Sequence, residues 1–206
     1  MLSYENRFKR KGFKIIVGID EAGRGPLAGP VMAAAVCLKS IKFQSVIKDS
    51  KKMTSRQREI AYKEICKKSY FGVGMSQPSI IDKINILNAT FSAMTKAVKS
   101  LIKQLPASIT KDKNFGDKIF LLIDGNTFKA NLPFAFETIV KGDSKSLSIS
   151  CASVIAKVTR DHLMERMDKE YPQYGFRQHK GYATLKHRQQ IKKYGLTPIH
   201  RKSFTF

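Results

Sequence analysis

Tryptophan is absent from the 206 residues, cysteine is limited to three, and Asp+Glu number 16 against 38 Lys+Arg, a formal net charge of +22. The cysteines (Cys37, Cys66, Cys151) are widely spaced and form neither a disulfide framework nor a zinc-ligand pattern, which fits a reducing cytosol. No run approaches about 18 consecutive apolar residues, so a membrane-spanning helix is excluded. The opening segment MLSYENRFKRKGFK lacks the apolar stretch of a signal peptide. A cytoplasmic protein with no membrane partner is expected. What is present is a 42% hydrophobic composition, too apolar for a disordered chain. At roughly 100–200 residues per domain, the length gives one domain over 1–206.

An excess of +22 attracts polyanions, and nucleic acid is the obvious one. The basic residues are spread along the chain rather than gathered in a tail, which favours a folded basic face. Charge alone carries no sequence specificity.

Hydrophobic patterning predicts buried strands over 15–19 and 31–38, joined by a Gly/Pro-rich turn. Thr54-Ser55-Arg56-Gln57 has capping-box spacing and predicts a helix to about Lys68, followed by a strand over 70–76. Ser79-x-x-Asp82 offers a second capping box. Beyond it Ile84, Leu87, Phe91, Met94, Val98, Leu101 and Leu105 trace the stripe of a long amphipathic helix, with a break near its start. Residues 119–123 and 134–140 read as further strands. The pattern turns helical from Ser148 to about Glu170, and a basic helix at about 184–194 closes the chain. Strands followed by helices indicate an α/β or mixed-sheet domain, with a core over about 14–145 and a helical region over about 146–206.

In so basic a chain, acids at strand ends stand out. Asp20 and Glu21 follow IIVGI, Asp124 ends IFLLI, and Asp143 lies just past a third strand. Four converging carboxylates repel one another unless cations sit among them. Oxygen ligands without His or Cys suit Mg²⁺ or Mn²⁺ rather than zinc. Two such ions about 4 Å apart can activate water and stabilise the leaving oxygen of a phosphodiester. The four histidines (His162, His179, His187, His200) show no ligand spacing and read as structural or phosphate-contacting residues.

Asp20-Glu21-Ala22-Gly23-Arg24-Gly25 is the densest motif. Its two glycines let a backbone approach a ligand, with Arg24 available for a phosphate. It is neither a Walker loop nor a dinucleotide-binding turn. The segment resembles the acidic pair and Gly-Arg-Gly signature of the ribonuclease HII family. Asp49-Ser50-Lys51-Lys52, Asp124-Gly125-Asn126, Lys141-Gly142-Asp143, the run from Ser153 to Asp161, His179-Lys180-Gly181-Tyr182 and the run from Pro198 to Phe204 resemble its other motifs, in the family's order. The resemblance covers roughly residues 14–204.

That resemblance implies a ribonuclease H-like fold: a mixed five-stranded sheet flanked by helices, with a helical C-terminal region. It implies an endoribonuclease that hydrolyses the RNA strand of RNA–DNA hybrids. It also implies nicking on the 5′ side of single ribonucleotides in duplex DNA, leaving 3′-hydroxyl and 5′-phosphate ends. Asp20, Glu21, Asp124 and Asp143 are then the catalytic carboxylates, holding two Mg²⁺ or Mn²⁺ ions. Gly23, Arg24 and Gly25 inherit contact with the 2′-hydroxyl, largely through main chain, and Tyr182 packs on the sugar beside the junction. Lys51, Lys145 and Lys180 are candidates for backbone phosphates. By the same resemblance the protein is a monomer.

Two rivals are the related ribonuclease HIII and a basic nucleic-acid-binding protein without catalysis. The first typically carries an additional N-terminal substrate-binding domain and lacks the Gly-Arg-Gly loop, which is intact here. The second explains the charge but gives no reason for acids at three strand ends.

Overall fold

In the computed structural model, which describes residues 1–111 and 114–205, β1 (Ile15–Ala22) occupies the middle of a five-stranded sheet ordered β3-β2-β1-β4-β5. β2 (Val31–Leu38) and β3 (Ser69–Ser76) run antiparallel on one side of it. On the other side β4 (Ile119–Asp124) and β5 (Ala135–Ile139) run parallel. Helices pack on both faces, and the mixed five-stranded sheet of the expected ribonuclease H-like fold is present.

The period-2 alternation of strands sorts the core into two layers. Ile15, Val17 and Ile19 face α3 (Pro78–Ile102), where Ala93, Met94, Ala97, Val98 and Leu101 are buried against them. Ile16, Phe120 and Leu122 point the other way, onto Ile149 of α5 (Leu147–Glu170) and Phe8 of α1 (Ser3–Arg10). Beside them α2 (Ser55–Lys68) adds Ala61 and Ile65 against Ala34, Val36 and α5. Gly18 permits this packing, because a Cβ there would lie 2.1 Å from the carbonyl carbon of Ser148. No helix among the described residues is long and apolar enough to cross a membrane.

The capping box at Thr54 forms in full, with its hydroxyl accepting from the Gln57 amide and the Gln57 side chain accepting from the Thr54 amide. The one expected at Ser79 does not. Pro78 takes the first helical position, Gln77 precedes it without a side-chain cap, and Asp82 turns to the C-terminal segment, accepting from Lys202 and Ser203. The expected break is at Asn85, whose φ of 65° interrupts α3. There the Asn85 side chain accepts from the Asn88 amide at 3.0 Å and restarts the helix, while Leu87 is exposed, outside the stripe it was expected to join.

Two short helices follow the core helices, α4 (Ala107–Thr110) and α6 (Phe176–His179), and α7 (Leu185–Tyr194) comes last. The helix α1 is absent from the sequence expectation. It is short and mostly polar, with Tyr4 and Phe8, four positions apart, as the only apolar residues turned to the core, and it is fixed by docking, with the Phe8 and Phe120 rings stacked 3.6 Å apart between centroids.

Candidate active site

Because β1 and β4 are adjacent and parallel, with Ile19 opposite Ile123, Asp20 and Asp124 leave the sheet at the same end on strands about 4.8 Å apart. Alternation sets both on the face covered by α5. Asp143 arrives from the short turn Gly142–Ser144 after β5. The Gly142 amide donates to Asp124 Oδ1 at 2.7 Å, joining that turn to the strand end. Glu21 follows Asp20, and its Oε1 faces Arg24 Nη1 at 3.4 Å. Three separate strand ends therefore bring the four sequence-selected acids to one edge of the sheet.

Their electrostatics agree with that convergence. Burial, then the charges of Glu21 and Asp124, push the Asp20 carboxyl well above the usual range. Burial, then Asp49 and Asp124, raise Asp143, with Lys51 opposing. Glu21 is raised by burial and Asp124 against the pull of Arg24. Burial disfavours the charge on Lys51, yet Asp20, Asp143, Asp49 and Asp124 together hold its pKa above the ordinary value. Lys51 thus sits within the field of the acids.

Among the described residues no three His, Cys, Asp or Glu side chains form a ready-made ligand group. Asp124 Oδ1 is engaged by Gly142, and Asp20 Oδ1 by the Glu21 amide at 2.7 Å. The donor chemistry nevertheless fits a hard divalent cation. The converging groups are all carboxylates, and Asp20, Glu21 and Asp143 carry an electrostatic penalty that a cation relieves.

Asp20, Glu21, Gly23, Arg24, Gly25, Lys51 and Tyr182 line one cleft of about 370 Å³, together with Ser50, Ser153, Lys157 and Arg160. Asp124 and Asp143 are not in its walls, and they act on it through Asp20 and Lys51. Tyr182 is 45% exposed, its ring beside Gly25. Lys145 is exposed at the end of the Asp143 turn. The Lys180 ammonium is engaged elsewhere, 2.7 Å from Glu165 and 2.8 Å from the Arg177 carbonyl. A second cleft of about 380 Å³, lined by Glu5, Lys9, Lys14, Lys39 and Lys42, holds none of the four acids.

Three of the four histidines are buried together. His179 and His187 stack with centroids 4.4 Å apart, and His187 Nε2 lies 3.1 Å from His200 Nε2. Burial pulls His187 and His200 down to about 4, so both are neutral at pH 7. His187 Nδ1 is 2.9 Å from the Tyr182 carbonyl, which makes the cluster a support for that tyrosine.

Sequence reasoning assigned no role to Asp49, Ser153, Lys157, Arg160 or Arg201. Asp49 caps the turn that presents Lys51, accepting from its amide at 2.9 Å. Ser153 on α5 hydrogen-bonds Asp20 and lies 2.7 Å from Ser50. Lys157 reaches the cleft while paired with Asp161 at 2.7 Å. These residues lie within motifs already noticed, but the roles of Ser153, Arg160 and Arg201 depend on contacts between segments more than 100 residues apart, as between Ser50 and Ser153.

A family model described as Ribonuclease HII matches residues 17–206. A ribonuclease HII of Acetivibrio thermocellus is 50% identical over 206 residues, covering 100% of this chain and 75% of that protein. Among solved structures, the ribonuclease HII of the PCNA:RNase HII complex from Archaeoglobus fulgidus superposes with a TM-score of 0.70 at 22% identity, over 93% of this chain and 96% of that one. A Bst ribonuclease HIII in complex with Mn²⁺ gives a TM-score of 0.62 at 16% identity, over 92% and 67% of the two chains.

Proposed function

The chain belongs to the ribonuclease HII family, and from that premise we infer how its own residues divide the work. It is a metal-dependent endoribonuclease that acts on RNA–DNA hybrids. We further assign it the nicking of duplex DNA on the 5′ side of a single embedded ribonucleotide. The observation that carries the assignment is the placement of Asp20 and Asp124 at the same end of adjacent parallel strands, with Asp20 beside the Gly23-Arg24-Gly25 loop.

Asp20, Glu21, Asp124 and Asp143 hold the divalent ions, Mg²⁺ or Mn²⁺. When bound, the ions supply an activated water and neutralise the oxygen that leaves. Lys51, already within the acids' field, balances charge at the cleft wall and meets the phosphate backbone. Lys145, exposed beside Asp143, meets a neighbouring phosphate, and such contacts position the duplex without reading bases. Lys180 serves this role only by leaving Glu165. The 2′-hydroxyl separates RNA from DNA at one position, and the Gly23-Arg24-Gly25 main chain reads it while Tyr182 packs on the adjoining sugar. The enzyme works as a cytoplasmic monomer.

The test is a labelled DNA duplex with one ribonucleotide, incubated with Mg²⁺, Mn²⁺ or chelator, beside Asp124→Asn. A metal-dependent nick 5′ of the ribonucleotide, lost in the variant, is expected. Binding without cutting, on hybrids as well, would leave only a basic duplex binder and sink the assignment.

A further inference from the structure

Two arginines, Arg160 on α5 and Arg201 near the C-terminus, are 1% and 0% exposed. Burying a guanidinium is costly unless its donors are satisfied. Among the described residues, all six hydrogen bonds of the pair go to main-chain carbonyls. Arg201 donates to Gly23, Arg24 and Gly29. Arg160 donates to Ala28, Pro30 and Lys180. Every target lies in the loop after β1 or in the segment that leads into Tyr182.

The direction of these bonds has a stereochemical consequence. The peptide bonds are trans, none being cis, and in a trans peptide the C=O and the following N–H point opposite ways. Arg201 holds the Gly23 and Arg24 carbonyls inward, so the amides of Arg24 and Gly25 are turned away from it. Neither amide has an acceptor among the described residues, and both residues line the cleft. Two donors are thereby presented at the place where a ribose must sit. Gly23 is fitted to this arrangement, since a Cβ there would fall 2.0 Å from Arg160 Nε.

We propose that Arg201, braced by Arg160, is a positioning residue for ribose recognition: its fork holds two consecutive peptide planes so that the Arg24 and Gly25 amides face the 2′-hydroxyl. The inference rests on the reading of the cleft given above. Arg160 extends the same brace to the far wall, because its bond to the Lys180 carbonyl fixes the approach to Tyr182 at 2.9 Å. Lysine cannot replace the fork, having one nitrogen where the site uses several.

Arg201→Lys separates this from a general role in folding. The variant is first checked by its melting curve and by its affinity for an all-DNA duplex in chelator, which reports phosphate contacts alone. That affinity is expected to stay within about twofold, whereas kcat on the single-ribonucleotide duplex falls at least about tenfold, the penalty of a misplaced contact. A folded variant that cuts at the wild-type rate overturns the proposal. If the variant does not fold, amide hydrogen exchange of the wild-type protein tests the same claim. Protection at Arg24 and Gly25 is expected with the ribonucleotide duplex and not with all-DNA duplex, and equal exchange with both overturns it. A wild-type protein that cuts neither substrate fails the underlying reading instead, and the inference falls with it.

Discussion

At the scale of single residues, Gly23 shows how closely the loop after β1 is fitted. Its φ of +91° is a conformation that L side chains rarely adopt, and Arg160 fills the space a methyl group would need. Gly23→Ala is expected to lose about 1–2 kcal/mol from backbone strain alone, which lowers Tm by roughly 2–8 °C in a domain of this size. Calorimetry checks it, and an unchanged Tm would show that the loop accommodates the methyl. The four acids were legible in the sequence because each follows an apolar run and acids are scarce. Arg201 was not. It lies in a motif that stood out in the sequence, but nothing local states what it does there, and only its bonds to carbonyls 172 to 178 positions earlier point to a task.

At the scale of elements, strands and long helices followed from periodicity, whereas α1 did not. Its value lies in Glu5, which is 4% exposed and whose Oε1 accepts from the Ser146 hydroxyl at 2.6 Å and from the Ser148 amide and hydroxyl, both at 2.9 Å. An acidic side chain at a helix N-terminus meets unsatisfied amides and the positive end of the dipole, so Glu5 caps α5 from across the molecule. Glu5→Ala leaves those donors buried and unmatched, at a cost of about 2 kcal/mol and a Tm fall of roughly 4–8 °C. A melting temperature within error of wild type would show that water replaces the cap. Ser79 failed as a cap for the converse reason: the local spacing was right, but Pro78 already starts the helix and Asp82 is claimed by Lys202 and Ser203.

At the scale of the whole molecule, a net charge of +22 governs how a duplex is first captured. Affinity for any duplex should fall linearly in log–log form with salt, at about 0.9 per phosphate contacted. The slope is expected to be the same with and without the ribonucleotide, because the 2′-hydroxyl adds no charge. Titrations between 50 and 200 mM salt measure both, and a slope near zero would remove phosphate contacts from the account. The sequence made the charge and the fold class plain, but not the long-range closure that finishes the cleft. That closure sets an order of events during synthesis. The brace at Arg201 reaches Arg24 across 177 positions, so a ribosome that has already delivered the sheet, the acids and α5 has not yet delivered the part that fixes the loop after β1. A chain still being translated can therefore gather its carboxylates well before the loop beside them is braced.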